Sequence, residues 1–263
     1  MTASLVLVGG GRMGEALLAG LLASGWADAA SLAVVEKVAE RRAELAKRFP
    51  GVDCREDVPP SAGVVVAVKP NDVPEACAAI AAAGTDRVLS IAAGITIERL
   101  EGWLGAIPVV RAMPNTPALV GAGAAAIAPG TAAGPDDLAW AATLLGSVGT
   151  VVEVPETLLD TVTGLSGSGP AYVFLVAEAL IEAGVLAGLP REASRTLALQ
   201  TLLGAARMLV ETADGPEALR AAVTSPGGTT AAGLQVLEER GVRAAFGEAV
   251  AAAARRSKEL GQT

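Results

Sequence analysis

Histidine is missing from this chain, and with it go the imidazole acid or base, the Ser-His-Asp arrangement and every His-ligated zinc site. Cysteine is almost missing too. Cys54 and Cys77 are too few for a four-thiolate metal centre and lack the dense spacing of a small secreted scaffold. Basic residues are outnumbered 20 to 28, a net charge of -8, so no broad cationic face offers itself to a phosphate backbone. Nucleic acid is therefore not an expected partner, and no metal is expected. What remains for chemistry is hydroxyls, amides, carboxylates, lysines or a borrowed cofactor.

Apolar residues are plentiful. At 52% hydrophobic and 18% charged, 263 residues bury enough surface to offset their ordering entropy without disulfide staples. The apolar residues at 5–8 and 17–22 do not make a signal peptide, because Gly9, Gly10, Gly11, Arg12 and Glu15 interrupt them and no basic region precedes them. The apolar stretch 171–189 carries Glu178 and Glu182 and does not read as a membrane span. The expectation is a soluble, cytoplasmic protein of a reducing compartment, with no membrane partner.

Strand and helix patterns alternate through the first half. Strands are expected at 5–8, 31–35, 64–68, 88–91, 109–111, 123–128 and 150–154, with helices at 11–24, 39–49 and 74–83. The Val/Ala run at 64–68 is too apolar to have a wet face, as in a parallel sheet covered on both sides. The pattern predicts a doubly wound, Rossmann-type α/β domain over residues 1–155. After Pro155 the strands stop, and helices are expected at 169–188, 190–211, 216–223, 229–240 and 242–260, giving an all-helical domain over 156–263. Two of these helices, over 171–186 and 196–210, are apolar nearly all round and need partners on every side. A domain of roughly 105 residues has little room to bury both, so subunit packing through it is expected. The competing reading makes them the domain's own core.

Gly9-x-Gly11-x-x-Gly14 follows the first strand directly and opens a helix with Arg12 and Met13 inside the loop. That spacing permits a tight turn, close approach to a pyrophosphate and helix N–H groups facing it, so a dinucleotide is the expected cofactor. Glu36 ends the second strand, 22 residues past Gly14. A carboxylate there accepts from a ribose 2′-hydroxyl and repels a 2′-phosphate, which favours NADH over NADPH. Lys37, Arg41 and Arg42 stand just beyond, either to offset that repulsion or as an ordinary solvated helix face. Lys69, before Pro70, closes the third strand, where it either contacts the cofactor or caps the strand in water. Asn115 sits between Pro114 and Pro117 in a stiff loop, read either as a nicotinamide neighbour or as a rigid turn.

A second loop, Thr224-Ser225-Pro226-Gly227-Gly228-Thr229-Thr230, precedes another helix start. Its glycines let backbone approach a ligand, and the N–H groups at the helix start suit a small carboxylate, with a hydroxyl for a second contact. As an isolated pattern it is also an ordinary N-cap. Beside a dinucleotide site it is the candidate for substrate recognition.

Taken together, the GGGRMG loop, Val68-Lys69-Pro70, Ala92-Ala93-Gly94, Met113-Pro114-Asn115-Thr116-Pro117, Gly167-Ser168-Gly169-Pro170-Ala171-Tyr172 and the Thr224–Thr230 loop resemble the pyrroline-5-carboxylate reductases, in the family's order and over nearly the whole chain. The resemblance implies reduction of L-1-pyrroline-5-carboxylate to L-proline, the last step of proline synthesis, with NADH or NADPH as cofactor. It implies homodimers through the helical domain, which can assemble further, with active sites between one subunit's dinucleotide domain and its partner's helical domain. It also implies cofactor contacts at Gly9, Gly11, Arg12, Met13, Gly14, Ala67, Val68, Lys69, Pro70, Ala93 and Asn115. Backbone N–H groups around Gly228, Thr229 and Thr230 would hold the substrate carboxylate, the Thr230 hydroxyl would reach the imine nitrogen, and Ser225 would support the loop. Glu36 departs from family members with a small polar residue there.

Three rivals are weighed against this. A β-hydroxyacid dehydrogenase needs a lysine in its Gly-x-x-Gly-x-Gly-x-x-x-Lys segment; Gly164, Gly167 and Gly169 fit, but the lysine position is Val173. A non-catalytic dinucleotide-binding or regulatory protein would be signalled by a broken glycine or Thr224–Thr230 loop, and neither is broken. A flavin protein could use the same first loop.

Overall fold

A computed structural model describes residues 3–261. Eight strands form one sheet: β1 (Leu5–Val8), β2 (Leu32–Val35), β3 (Asp53–Arg55), β4 (Val64–Val66), β5 (Val88–Ser90), β6 (Val109–Met113), β7 (Gly123–Pro129) and β8 (Gly149–Glu153), in the order β3-β2-β1-β4-β5-β6-β7-β8. β1 shows why these strands carry no polar alternation. Leu5 and Leu7 enter one core with Leu17, Leu18 and Leu21, while Val6 and Val8 enter another on the opposite face with Val73, Cys77 and Ile80. Both faces are covered by helices α1 (Arg12–Ala23), α2 (Ala39–Arg48), α3 (Val73–Ala83), α4 (Ile97–Leu104) and α5 (Pro135–Gly146). In β1, β2 and β4, where both faces are dry, every position is apolar.

The sheet departs from all-parallel expectation at one place, where β6 and β7 pair antiparallel with Met113 opposite Ala126. The connection is a short 3₁₀ turn, Thr116–Val120, too brief for a crossover, which takes about a dozen residues or more. β3, α4 and α5 lie outside the sequence expectation, as does a short helix after β8. β3 is short, polar and at the sheet edge, with no apolar signal. α4 carries a cap, Thr96, whose side-chain oxygen accepts from the Arg99 N–H at 3.3 Å, and buries Ile97, Leu100 and Leu104 at helical spacing. α5 is announced by Pro135 at its first turn and Asp137, whose Oδ2 accepts from the Gly134 N–H at 2.9 Å.

The chain divides into two compact units, one holding the sequence to Ser168 together with residues from Ala251 onward, the other Gly169–Val250. The change of texture at Pro155 is thus not where compactness changes. α6 (Leu159–Val162) and the π-turn Thr163–Gly167 follow β8. Leu159 is buried with Ile97, Ala126 and Ala128, which keeps this segment with the sheet. The end of the last helix returns to the same unit, where the Ser257 hydroxyl donates to Asp160 Oδ1 at 2.6 Å.

The second unit is helical: α7 (Gly169–Leu186), α8 (Arg191–Glu211), α9 (Pro216–Ala222), α10 (Thr229–Glu239) and the first part of α11 (Val242–Gly261). α7 and α8 form a close hairpin. Ser194 Oγ donates to the Ile181 carbonyl at 2.7 Å, and a Cβ on Gly184 would stand 2.2 Å from that hydroxyl. Yet α7 buries no residue within the chain, and Phe174 and Leu175 are 63% and 65% exposed. The two helices therefore do not bury one another as a self-sufficient core, and the reading that they need further cover stands.

Candidate active site

The cleft lies beyond the carboxyl ends of β1, β2 and β4, in the first unit. Gly9 has φ +112°, and a Cβ there would come within 2.6 Å of the Ala67 carbonyl oxygen. At Gly14 a Cβ would stand 2.1 Å from the Gly9 carbonyl oxygen, so the helix packs backbone to backbone on the loop. Gly11 differs, because nothing lies within 4 Å of the Cβ it would carry. It is also the N-cap of α1, and no side chain caps that helix. The uncapped N–H groups of the first turn thus border open space, as an anion requires.

Gly9, Gly11, Glu36, Ala67, Val68 and Lys69 all line a cleft of about 700 Å³. Val35, Val38, Val58, Ala76 and Ala79 give it an apolar side. The glycine cradle, the open helix start and this slot fit a dinucleotide. Glu36 spends both carboxylate oxygens on backbone, Oε2 accepting from the Gly10 N–H and Oε1 from the Val38 N–H, each at 3.0 Å.

The three cations beyond Glu36 are engaged. Lys37 Nζ meets Glu75 at 2.5 Å. Arg42 Nη1 donates to the carbonyls of Glu36 and Lys37 at 2.7 and 2.8 Å, and its Nη2 meets Glu56 at 3.1 Å. Arg41 Nε donates to the Gly10 carbonyl at 2.9 Å, while its other nitrogens pair with Glu15 and Glu44. Glu56, Asp57, Asp72 and Glu75 also border the cleft, making its rim acidic. Sequence reasoning missed them. The first two follow β3, whose unrecognised position left that loop unplaced.

Arg12, Met13, Pro70, Ala93 and Asn115 are not in the lining of the cleft. Arg12 and Met13 open α1, Met13 packing on the core. Pro70 begins the 3₁₀ turn after Lys69, and Ala93 precedes Gly94, which has φ +75°. Asn115 has its carboxamide committed within the fold: Oδ1 accepts from the Ala124 N–H at 2.8 Å and Nδ2 donates to the Ser166 carbonyl at 3.0 Å. It ties the β6–β7 connection to the π-turn.

In the second unit, Gly227 has φ +70° and the Gly228 N–H donates to the Ser225 carbonyl at 3.0 Å. A Cβ on Gly228 would stand 2.4 Å from Ser225 Oγ, so Ser225 packs against the turn. Gly228 is the N-cap of α10, again without a side-chain cap, and Thr229 and Thr230 begin the helix with Thr230 half-buried. The geometry offers a small anion free backbone donors beside a threonine hydroxyl. Val173, the position of the dehydrogenase lysine, is 53% exposed on α7. Among the described residues, no three His, Cys, Asp or Glu side chains cluster to hold a metal.

Comparison with known proteins places this architecture. Residues 156–260 match the family described as pyrroline-5-carboxylate reductase dimerisation, and residues 4–94 match NADP oxidoreductase, coenzyme F420-dependent. Pyrroline-5-carboxylate reductase of Synechocystis sp. is 47% identical over the full length of both chains. The solved structure of a pyrroline-5-carboxylate reductase from Coxiella burnetii superposes with a TM-score of 0.93 at 38% identity, covering 99% of each chain. That of pyrroline carboxylate reductase from Plasmodium falciparum with NADP bound gives 0.83 at 31% identity, covering 98% of each. With relatives this similar over its whole length, a Rossmann-type sheet domain and a helical dimerisation domain, the chain belongs to the pyrroline-5-carboxylate reductase family.

Proposed function

We propose that this protein reduces L-1-pyrroline-5-carboxylate to L-proline with a reduced nicotinamide dinucleotide, as the last step of proline synthesis. The observation that carries the reading is one chain in which α1 and α10 both open on glycine without a side-chain cap, each in a different setting. The start of α1 opens on a dinucleotide-sized slot, and that of α10 is flanked by a threonine hydroxyl.

Bound reduced nicotinamide supplies the hydride for the imine carbon, and the nitrogen takes a proton to become the amine. The chain's own task is to bind, orient and polarise. The N–H groups of Thr229 and Thr230 grip the substrate carboxylate, while the Gly228 N–H stays with the Ser225 carbonyl and holds the turn. The Thr230 hydroxyl hydrogen-bonds the imine nitrogen, which sets the face presented to the hydride. An aliphatic hydroxyl is a weak acid, so the proton arrives with the substrate or through water. Ser225 supports the turn from beneath. The reading requires the α10 loop of one protomer to meet the cofactor cleft of another, so the working unit is a homodimer in which the apolar faces of α7 and α8 cover one another. The stretch Glu156–Leu186 is long and apolar enough to cross a membrane by length and composition, and the dimer gives it a protein partner instead. Two free thiols suit the reducing cytoplasm.

NADH is the favoured cofactor. Glu36, with Asp57 and Asp72 of the rim, repels a 2′-phosphate, and Lys37, Arg41 and Arg42 are already engaged by other carboxylates. The test is oxidation of NADH and of NADPH by purified protein given pyrroline-5-carboxylate, with L-proline measured as product. Proline formed faster with NADH is expected. Faster NADPH oxidation overturns the cofactor reading, and NADH bound without turnover favours the non-catalytic dinucleotide-binding protein.

A further inference from the structure

We infer that Arg41, which does not line the cofactor cleft, is a positioning residue that presets the glycine loop for the cofactor's pyrophosphate. A peptide group is planar, and its C=O and N–H point in opposite directions. The carbonyl that Arg41 Nε holds at 2.9 Å is that of Gly10, so it belongs to the same plane as the Gly11 N–H. Fixing the oxygen toward Arg41 aims that N–H away from it. The preceding plane is fixed as well, because the Gly10 N–H donates to Glu36 Oε2 at 3.0 Å. Two successive peptides flanking Gly10 are thus held from outside the loop. Without such holds a run of three glycines turns its peptides over at little cost, and that freedom is lost on binding.

Arg41 can do this because it is itself restrained. Its guanidinium pairs with Glu15, which also meets Arg48, and with Glu44 at 3.0 Å. The Arg41 and Glu15 side chains are only 29% and 13% exposed, so this is not a loose surface pair. Burial and direction agree elsewhere in the loop. Gly10 is buried, with Leu45 of α2 2.5 Å from the Cβ it would carry, whereas Gly11 is open. The restraint therefore comes from the α2 side and leaves the ligand side free.

The inference rests on the dinucleotide reading of the cleft, and its test separates the two. Dissociation constants of ADP and adenosine are measured by displacement of bound NADH, for the full chain and for Arg41→Met, Arg41→Lys and Glu15→Gln. Arg41→Met is expected to weaken ADP about tenfold and leave adenosine within twofold, since only ADP carries the phosphates that the loop meets. In turnover, KM for NADH rises with kcat nearly unchanged. Arg41→Lys, which keeps a donor and the charge, recovers part of the loss, and Glu15→Gln shows a smaller loss of the same pattern. Equal weakening of ADP and adenosine, or none, in both Arg41→Met and Glu15→Gln overturns the positioning role. Unsubstituted protein that binds neither NADH nor ADP overturns the cleft reading first, and this inference with it.

Discussion

Thr230 is placed where one hydroxyl has one job, and that makes its removal informative. Thr230→Ala is expected to lower kcat on pyrroline-5-carboxylate about tenfold, the loss of a single neutral hydrogen bond in a low-dielectric site. NADH affinity, set in the other unit, should not change, and Thr230→Ser should regain most of the rate. Steady-state kinetics on the three proteins decide it; an Ala variant with full turnover takes Thr230 out of the mechanism. Glu36 makes a different prediction, because it both faces the cleft and holds the Gly10 and Val38 N–H groups. Glu36→Ser should raise the NADPH/NADH ratio of kcat/KM while weakening NADH outright, since a shorter side chain loses both grips. An unchanged ratio with weaker NADH would leave Glu36 a loop support that does not read the ribose. Much of this residue-level detail was legible beforehand. Gly9, Gly14 and Glu36 stand where the spacing put them, because close backbone approach and a strand-end carboxylate leave a mark on sequence. What was not legible is which polar groups are already spent. The sequence leaves Asn115 open between a nicotinamide neighbour and a rigid turn, since nothing local marks that its carboxamide is held between the Ala124 N–H and the Ser166 carbonyl.

At the scale of elements, legibility followed burial. Strands with both faces dry announced themselves as unbroken apolar runs, and helices bounded by Gly and Pro kept their limits within a residue or two. β3 escaped because an edge strand of Asp53, Cys54 and Arg55 has almost no core to face. α4 carries its signal in the Thr96 cap and in Ile97, Leu100 and Leu104 at helical spacing, over only eight residues, and α5 in Pro135 with Asp137. α3 yields a prediction of its own. Its Cys77 is fully buried against the sheet, and desolvation pushes the thiol up to about 11. A group held protonated in the folded chain contributes stability that is complete below its unfolded value, near 8.5, and is lost as pH rises toward its folded one. Between about pH 9 and 11 the protein should lose on the order of 2 kcal/mol from this thiol. Urea unfolding across that range should show a shallower fall for Cys77→Ala, whose stability starts lower because of the space left behind. Parallel curves for the two proteins would mean that the thiol ionises as freely when folded as when unfolded.

The whole molecule poses a question that neither unit answers alone. α7 and α8 leave Phe174, Leu175, Leu203 and Val210 at least half exposed, a surface that water disfavours by about 25 cal/mol for each Å² of apolar area. Residues 156–260, which carry that surface, match a dimerisation family. If a second copy covers it, folding and association are linked, and the thermal midpoint should rise with protein concentration. Phe174→Glu puts a charge into the covered face, where it meets no counter-charge and must be desolvated. The substituted chain should sediment as a monomer at concentrations where the parent is a dimer, and its midpoint should no longer depend on concentration. Its cofactor cleft belongs wholly to the sheet unit, so NADH should still bind, while proline formation falls by 100-fold or more if, as proposed, each active site is completed by a second protomer. A variant that stays dimeric would move the interface off α7. One that is monomeric yet fully active would keep the interface and put the whole active site within a single chain.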